Sequence, residues 1–409
     1  MKNKLLITID GIRKDRIGIY NPKAEYLTPN LTRIGQKSVV FNDMVAAATS
    51  TGMCFSSIFT GKNQKDFGRK TYGDTKNPFP DNLFTDHEKL GYKTIVCLNK
   101  RFNIHHRLIN AFGSAEHWWT GEKTENDNKN NGSLRPIDQA KYLIEKLKSI
   151  EQPVLVWMHL WGFSKPEDRF LEITPFEYDA RVAELDEAIG LLFDYYQHNS
   201  EFYFFSDHGY SFFEHGNWGY GKQGSNLSES VCNVPAIVYN GKNKGVNENL
   251  VSQIRMREFV LNSDNCLQIS DDIAFCESRY KKQSDMALAI RKGKMKLIYK
   301  YYEDQAHFYD LSTDPYENID MASKKFYKLT RYSDGSHSSL TPYILRTDWP
   351  LINQIHSEML GIAQSYYGRY NYSVSIRSKE WIKRQKLLSI FVSLYLKHIR
   401  PFLYNRNKL

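Results

Sequence analysis

The chain has 409 residues, of which 41% are apolar and 14% aromatic, and a net charge of +9. That length suits two or three domains, or one large α/β domain with an appendage, and the apolar share supplies a packed core and excludes a generally disordered chain. Eight of the nine net positive charges fall in residues 377–409, where nine Lys/Arg stand against Glu380 alone. Residues 1–376 are therefore nearly neutral, without the distributed positive charge that a nucleic-acid surface needs, so nucleic acid is not an expected partner.

The chain opens MKNKLLITID, a basic tip leading into a strand-like run that ends on Asp10. A secretory signal would need a longer apolar region and a small-residue cleavage site. No apolar run reaches the roughly 18 to 20 residues of a membrane span. Next comes ATSTGMCFSSIFTG, residues 48–61, a hydroxyl-rich loop running into a helix. Ser50 and Thr51 are both available as its N-cap, and Cys54, one turn further on, is placed to pack rather than react.

KTIVCLN, PVLVWMHL, EFYFFSD and VPAIVYN then follow as strand-like runs, separated by helix-compatible segments such as Pro136 to Ile150 and Phe176 to Gln197. This alternation predicts an α/β fold, a mostly parallel sheet with helices on both faces. Three of the runs finish on Asp10, His159 and Asp207. Open sheets of this kind bind ligands outside the carboxyl ends of their strands, so these side chains are candidates to converge.

TENDNKNNGS, residues 124–133, reads as a polar surface loop, and residues 62–80 and 100–135 carry no interpretable motif. Beyond about residue 285 the chain alternates in strand fashion around a Lys-Gly turn, predicting a small antiparallel subdomain. The expected organisation is a main α/β domain over 1–284, a smaller subdomain over 285–376 and a basic tail over 377–409. Five scattered cysteines without CxxC pairing fit free thiols in a reducing cytosol, so a cytoplasmic protein is expected.

SDHG, residues 206–209, places Asp207 and His208 at a strand end before a glycine that permits a sharp turn. A carboxylate oxygen and an imidazole nitrogen suit Zn or Mn. With Asp10 and the hydroxyl loop they would offer a metal two carboxylates, an imidazole and a hydroxyl.

Three ordered blocks resemble the sulfatase branch of the alkaline phosphatase superfamily. LLITIDGIRKDRIGIY…TPNLTRIGQKSVVFNDMVAAATST is similar to that family's opening strand, metal-binding Asp and TPNLDRLA helix. SDHGYSFFEHGNWGYGKQ…VPAIVY resembles its SDHGE…EHG…GKG…VPLIV block, and AIRKGKMKLIYK…HFYDLSTDPYENIDMA its C-terminal segment. The resemblance implies one divalent metal ion, Mn or Zn favoured and Ca or Mg possible, held by Asp10, Thr51, Asp207 and His208. Counting back from Thr60-Gly61 as the family does puts the nucleophile at Thr51. Sulfatases require Cys or Ser there, for oxidation to formylglycine, whereas threonine resembles the phosphoethanolamine and phosphoglycerol transferases, which form a phospho-threonine. His159, His215 and Lys222 match family positions beside the metal, as acid–base groups and a phosphoryl-neutralising cation. The family's second His falls on Ser164 and Gly11 replaces a second Asp, so a single metal is expected.

The implied activity is transfer of a phosphoryl substituent from a phospholipid or other phosphodiester donor to a glycan or lipid-linked acceptor. A phosphodiesterase or phosphomonoesterase on the same site, and a catalytically silent binding protein, are the alternatives. In the tail, Trp381, Leu388, Val392, Tyr395 and Ile399 fall at helical spacing, while Lys383, Lys386, Lys397 and Arg400 occupy another stripe. Such a helix suits peripheral attachment to an anionic membrane, here the inner face of the cell membrane, with docking on the protein's own core as the alternative.

Overall fold

Leu5, Leu6 and Ile7 are successive residues of one strand, and all three are fully buried. A strand that buries consecutive side chains is covered on both faces, as parallel strands in α/β proteins are. The computed structural model describes residues 1–67, 81–99, 115–120, 135–160, 173–212, 214–216, 218–219, 226–279, 286–301, 305–322 and 349–366. The chain divides into Met1–Ala363 and Gln364–Leu409. Of the second unit only residues 364–366 are described, so the basic tail expected at 377–409 lies outside the described residues, as do Ser164 and Lys222.

The main sheet has eight strands: β1 (Asn3–Ile9), β2 (Val39–Val45), β3 (Lys93–Asn99), β4 (Glu116–Thr120), β5 (Val154–Leu160), β6 (Ser200–Ser206), β9 (Asn233–Tyr239) and β10 (Gly245–Ser252), while β7 (Ser211–Phe212) and β8 (Trp218–Gly219) pair with each other. They lie in the order β10-β2-β9-β6-β1-β5-β3-β4. β9 runs antiparallel to both its neighbours and every other pairing is parallel. The α/β sheet expected from the sequence is present; the reversed β9, and strands β2, β4 and β10, were not foreseen.

Alternation along the strands sorts the core into two layers. Leu5, Ile7 and Ile9 face α1 (Pro29–Gly35), α4 (Pro136–Leu147) and α5 (Pro175–Tyr196). Leu6, Trp157, Tyr203 and Phe205 face the other side, with Phe55 and Phe59 of α2 (Thr51–Thr60), Phe84 of α3 (Leu83–Lys89), Cys232 of α6 (Glu229–Cys232) and Phe259 of α7 (Met256–Leu261). Each fully buried aromatic or aliphatic side chain contributes about 1.5–3 kcal/mol. Local signals start the helices: Thr174 and Glu177 form a capping box on α5, with Pro175 at the first helical position.

A second, antiparallel sheet joins β11 (Ala274–Arg279), β12 (Met286–Lys292), β13 (Met295–Lys300) and β14 (Gln305–Asp310) in sequential order. The meander foreseen beyond residue 285 thus takes its first strand from residues before it. Helix α8 (Trp349–Tyr366) packs on this sheet, where Tyr301 donates to the Ala363 carbonyl at 2.6 Å. A buried ion-pair seam joins the small sheet to the main one. Arg291 pairs with Asp43 (2.9 Å) and Glu229 (2.6 Å), and Lys296 with Glu229 (2.8 Å) and Glu317 (2.7 Å). Burial alone would push the Glu229 carboxyl up, but Arg291 and Lys296 hold it well below the usual carboxylate range.

Candidate active site

The parallel register that pairs Ile9 with Ser206 sets the next residues, Asp10 and Asp207, side by side beyond the carboxyl ends of β1 and β6. Both are buried, at 3% and 0% exposure. Asp207 Oδ1 accepts from the backbone N–H groups of Gly11 (3.1 Å) and His208 (2.8 Å), which fixes its rotamer. Its Oδ2 has no hydrogen-bond partner among the described residues.

His208 is held by its own turn. Nδ1 lies 3.0 Å from the Gly209 carbonyl, and because a carbonyl only accepts, Nδ1 carries the hydrogen. With that hydrogen on Nδ1, the neutral tautomer presents the Nε2 lone pair towards Asp10 Oδ1 at 3.6 Å and Asp207 Oδ2 at 3.5 Å. Gly209 is needed for close approach: a Cβ there would sit 2.0 Å from the Ser230 carbonyl oxygen. The reason anticipated from the sequence, a sharp turn, is not the one observed. The left-handed residue is Gly11, at φ 64°, which turns the chain after Asp10.

One ligand atom from each of Asp10, Asp207 and His208 lies within 4.8 Å of the others, all three residues being buried. Two carboxylates and an imidazole lone pair repel one another unless a cation lies among them. Burial first, and the Asp207 charge second, push the Asp10 carboxyl up to about 7. An unsatisfied carboxylate oxygen beside a neutral imidazole nitrogen is the donor set of a divalent metal such as Zn or Mn, so the residues fit the group.

Thr51 is brought to this cluster by α2. Ser50 has the extended conformation of an N-cap (φ −142°, ψ 140°) but its hydroxyl makes no capping bond, and Thr51 is the first helical residue. The Thr51 hydroxyl donates to Asp10 Oδ1 at 3.3 Å. The two-way choice left by the local sequence is thereby divided: Ser50 caps by backbone, Thr51 faces the carboxylates. Cys54 is buried and its thiol donates to the Ala48 carbonyl at 3.1 Å. Burial, and then the Asp207 charge, raise its pKa, as expected of a packing thiol.

The other anticipated residues are placed differently. His159 is the penultimate residue of β5, opposite Thr8 in the register. Its Nδ1 lies 2.9 Å from the Thr8 hydroxyl and its ring packs edge-on against Phe55 at 4.9 Å. His215 has a left-handed backbone (φ 54°) and its Nε2 lies 3.8 Å from the Glu317 carboxylate. It borders a pocket of about 340 Å³ lined also by Arg13, Glu214, Lys294 and Tyr316. Lys222 lies outside the described residues.

The residues of the seam were missed by sequence reasoning. Arg291 and Lys296 belong to RKGKMK, which reads as a solvated basic turn, yet they are 1% and 0% exposed. Only their alternation with Ala289, Leu297 and Ile298 hinted at a buried face.

The Sulfatase family profile matches residues 2–262, more than half of the chain. The chain thus belongs to the sulfatase family, a family of enzymes within the alkaline phosphatase superfamily. Its fold is similar to that of the phosphonate monoester hydrolase of Agrobacterium radiobacter, with TM-score 0.64 and 14% identity over 81% of this chain and 93% of that one. A 2-O GAG sulfatase matches with TM-score 0.62 and 13% identity, over 86% and 94% of the two chains. A protein solved with its substrate D-glucosamine-2-N,6-O-disulfate matches with TM-score 0.62 and 15% identity, over 90% and 98%. At such identities the likeness is one of fold. No curated protein matches the chain by sequence.

Proposed function

We propose that the protein is a metal-dependent phosphotransferase that works through a phospho-Thr51 intermediate, taking its group from a phosphodiester donor and passing it to a hydroxyl of a glycan or lipid-linked acceptor. The observation that carries this reading is Thr51 at the start of α2 with its hydroxyl 3.3 Å from Asp10 Oδ1. Threonine cannot become the aldehyde that sulfate hydrolysis in this family uses, so the hydroxyl itself is the reacting group.

Asp10, Asp207 and His208 would hold one divalent ion, with Mn or Zn favoured by the donor set. When bound, that ion supplies the positive charge that lowers the pKa of a nearby hydroxyl and offsets phosphoryl charge. The chain's own groups do the rest. Asp10 orients the Thr51 hydroxyl and accepts from it. The first turn of α2 directs backbone N–H groups at the incoming phosphoryl oxygens. Thr51 Oγ1 gives up its proton and attacks phosphorus in line, a P–O bond forms as the bond to the leaving alkoxide breaks, and the alkoxide takes up a proton in turn, so that none is gained or lost overall. In the second half an acceptor hydroxyl gives up its proton and attacks phosphorus, the bond to Thr51 breaks, and Thr51 Oγ1 takes up a proton to become the hydroxyl again. His159, His215 and Lys222 remain candidates for these proton transfers and for charge neutralisation. The basic segment 377–409 would tether the enzyme to an anionic membrane carrying such a donor.

A hydrolase that uses water as the acceptor is the second reading, favoured by the fold likeness to a phosphonate monoester hydrolase. Intact-mass measurement after incubation with phosphodiester donors tests the shared step, through an adduct on Thr51. Adduct turnover that depends on an added acceptor supports the transferase; equal turnover in water alone supports the hydrolase.

A further inference from the structure

The loop before Thr51 is gripped from three directions. Ala46 N donates to the Cys232 carbonyl at 2.7 Å, and Ala47 N to the Gln253 side-chain oxygen at 3.0 Å. Glu277 forms a parallel bridge with Ala48: Thr49 N donates to the Glu277 carbonyl (3.2 Å) and Glu277 N to the Ala47 carbonyl (3.1 Å). Both side chains reach further. The Gln253 amide nitrogen donates to the carbonyl of Ser206, the residue before Asp207. The Glu277 carboxylate accepts from Gln64 N at 2.8 Å. The Gln64 amide then donates into α2, to the Met53 carbonyl (2.7 Å) and the Ser57 hydroxyl (3.0 Å). Gln253 and Glu277 are 0% exposed and Gln64 is 4% exposed.

We propose that Gln253 and Glu277 are positioning residues that set Thr51 against Asp10 and Asp207. Gln253 ties the loop to the strand end that bears Asp207. Glu277, which belongs to the small antiparallel sheet, holds Gln64 and through it the first turns of α2, so the small sheet helps to aim the nucleophile. Burying an amide and a carboxylate is costly unless their bonds are made; here the Gln253 amide bonds the backbone of the loop and of the strand end, and the Glu277 carboxylate bonds Gln64 N. The inference rests on the reading of Thr51 as the nucleophile.

The test uses the full chain, with Glu277→Ala, Glu277→Gln, Gln253→Glu and Gln64→Ala. The first readout is labelling of Cys54 by a small thiol reagent in the folded protein, mapped by peptide mass; it reports opening of the loop and needs no activity. The second is kcat and KM on a nitrophenyl phosphodiester. Glu277→Ala is expected to label Cys54 about tenfold faster through easier local opening. It should also lower kcat by about a hundredfold, with KM little changed. Glu277→Gln keeps an oxygen for the Gln64 N–H and should behave like the native protein in both. Gln253→Glu keeps the acceptor for Ala47 and loses the donor to Ser206, so it lowers kcat with Cys54 still protected. Should Glu277→Ala not fold, Gln64→Ala removes the same hold on α2 and is read identically. Unchanged Cys54 labelling and kcat in Glu277→Ala, or equal damage in Glu277→Gln, would overturn the proposal. If instead Thr51→Ala turns over normally, the nucleophile reading falls, while Cys54 labelling still decides whether the clamp exists.

Discussion

The hydroxyl of Thr51 and the carboxylate of Asp10, 41 positions apart in the chain, meet at 3.3 Å in a buried site. The contact joins the first turn of a helix to the end of the central strand. It sets that hydroxyl beside the cluster Asp10, Asp207 and His208. On the proposed mechanism, replacing Thr51 by Ala removes the atom that forms the covalent intermediate. Turnover of a phosphodiester should fall at least about a thousandfold and the mass adduct should vanish, while Thr51→Ser retains both. Full turnover in Thr51→Ala would remove the covalent mechanism.

The metal reading predicts a stability linkage. Anything that binds only the native state stabilises it, by about 2.7 kcal/mol at a hundredfold excess over Kd. Mn or Zn should raise the melting temperature of the native protein and bind at one ion per chain. Asp207→Asn leaves its Oδ1 acceptor for Gly11 and His208 but discards the charge, so the shift and the bound ion should both be lost. A metal content that survives this change unaltered counts against the site.

The seam between the two sheets predicts a pH dependence. The Glu229 carboxyl is held well below its ordinary value by Arg291 and Lys296, although burial opposes this. Its contribution is therefore fully present above the unfolded pKa and is lost as pH falls through the depressed native one. Denaturant midpoints of the native protein should decline below about pH 4.5. Glu229→Gln should cost about 3–5 kcal/mol near neutral pH, because Arg291 and Lys296 are left with one buried counter-charge fewer, and should flatten that acid limb. A mutant whose acid limb matches the native one places the transition elsewhere.

Segregation of charge into residues 377–409 predicts membrane attachment. Deleting the segment should abolish sedimentation with anionic liposomes, and raised salt should weaken binding of the intact chain, because the attraction is screened within a Debye length. Undiminished liposome binding after the deletion excludes this role. Among the described residues no helix is long and apolar enough to cross a membrane.

Much of this was legible along the chain. Continuous apolar runs marked β1, β3, β5, β6 and β9, because strands buried on both faces need unbroken hydrophobicity. The acids after β1 and β6 stood out because a parallel sheet gathers ligands at its carboxyl ends. Strand polarity was not legible: VPAIVYN looks the same whether β9 runs with or against its neighbours.

By itself the sequence determined the α/β architecture and the family, and it nominated Asp10, Asp207, His208 and, through the resemblance, Thr51 as candidate site residues. Only the tertiary structure decided how those groups are placed. Register set Asp10 beside Asp207, the Gly209 carbonyl chose the His208 tautomer, and a bridge from Glu277 fixed the loop ahead of Thr51. It also turned Arg291 and Lys296 from an apparent surface turn into the buried seam between sheets. The physical reason is common to all of these: a charge or hydrogen bond takes its meaning from its partner, and these partners lie far away in the chain.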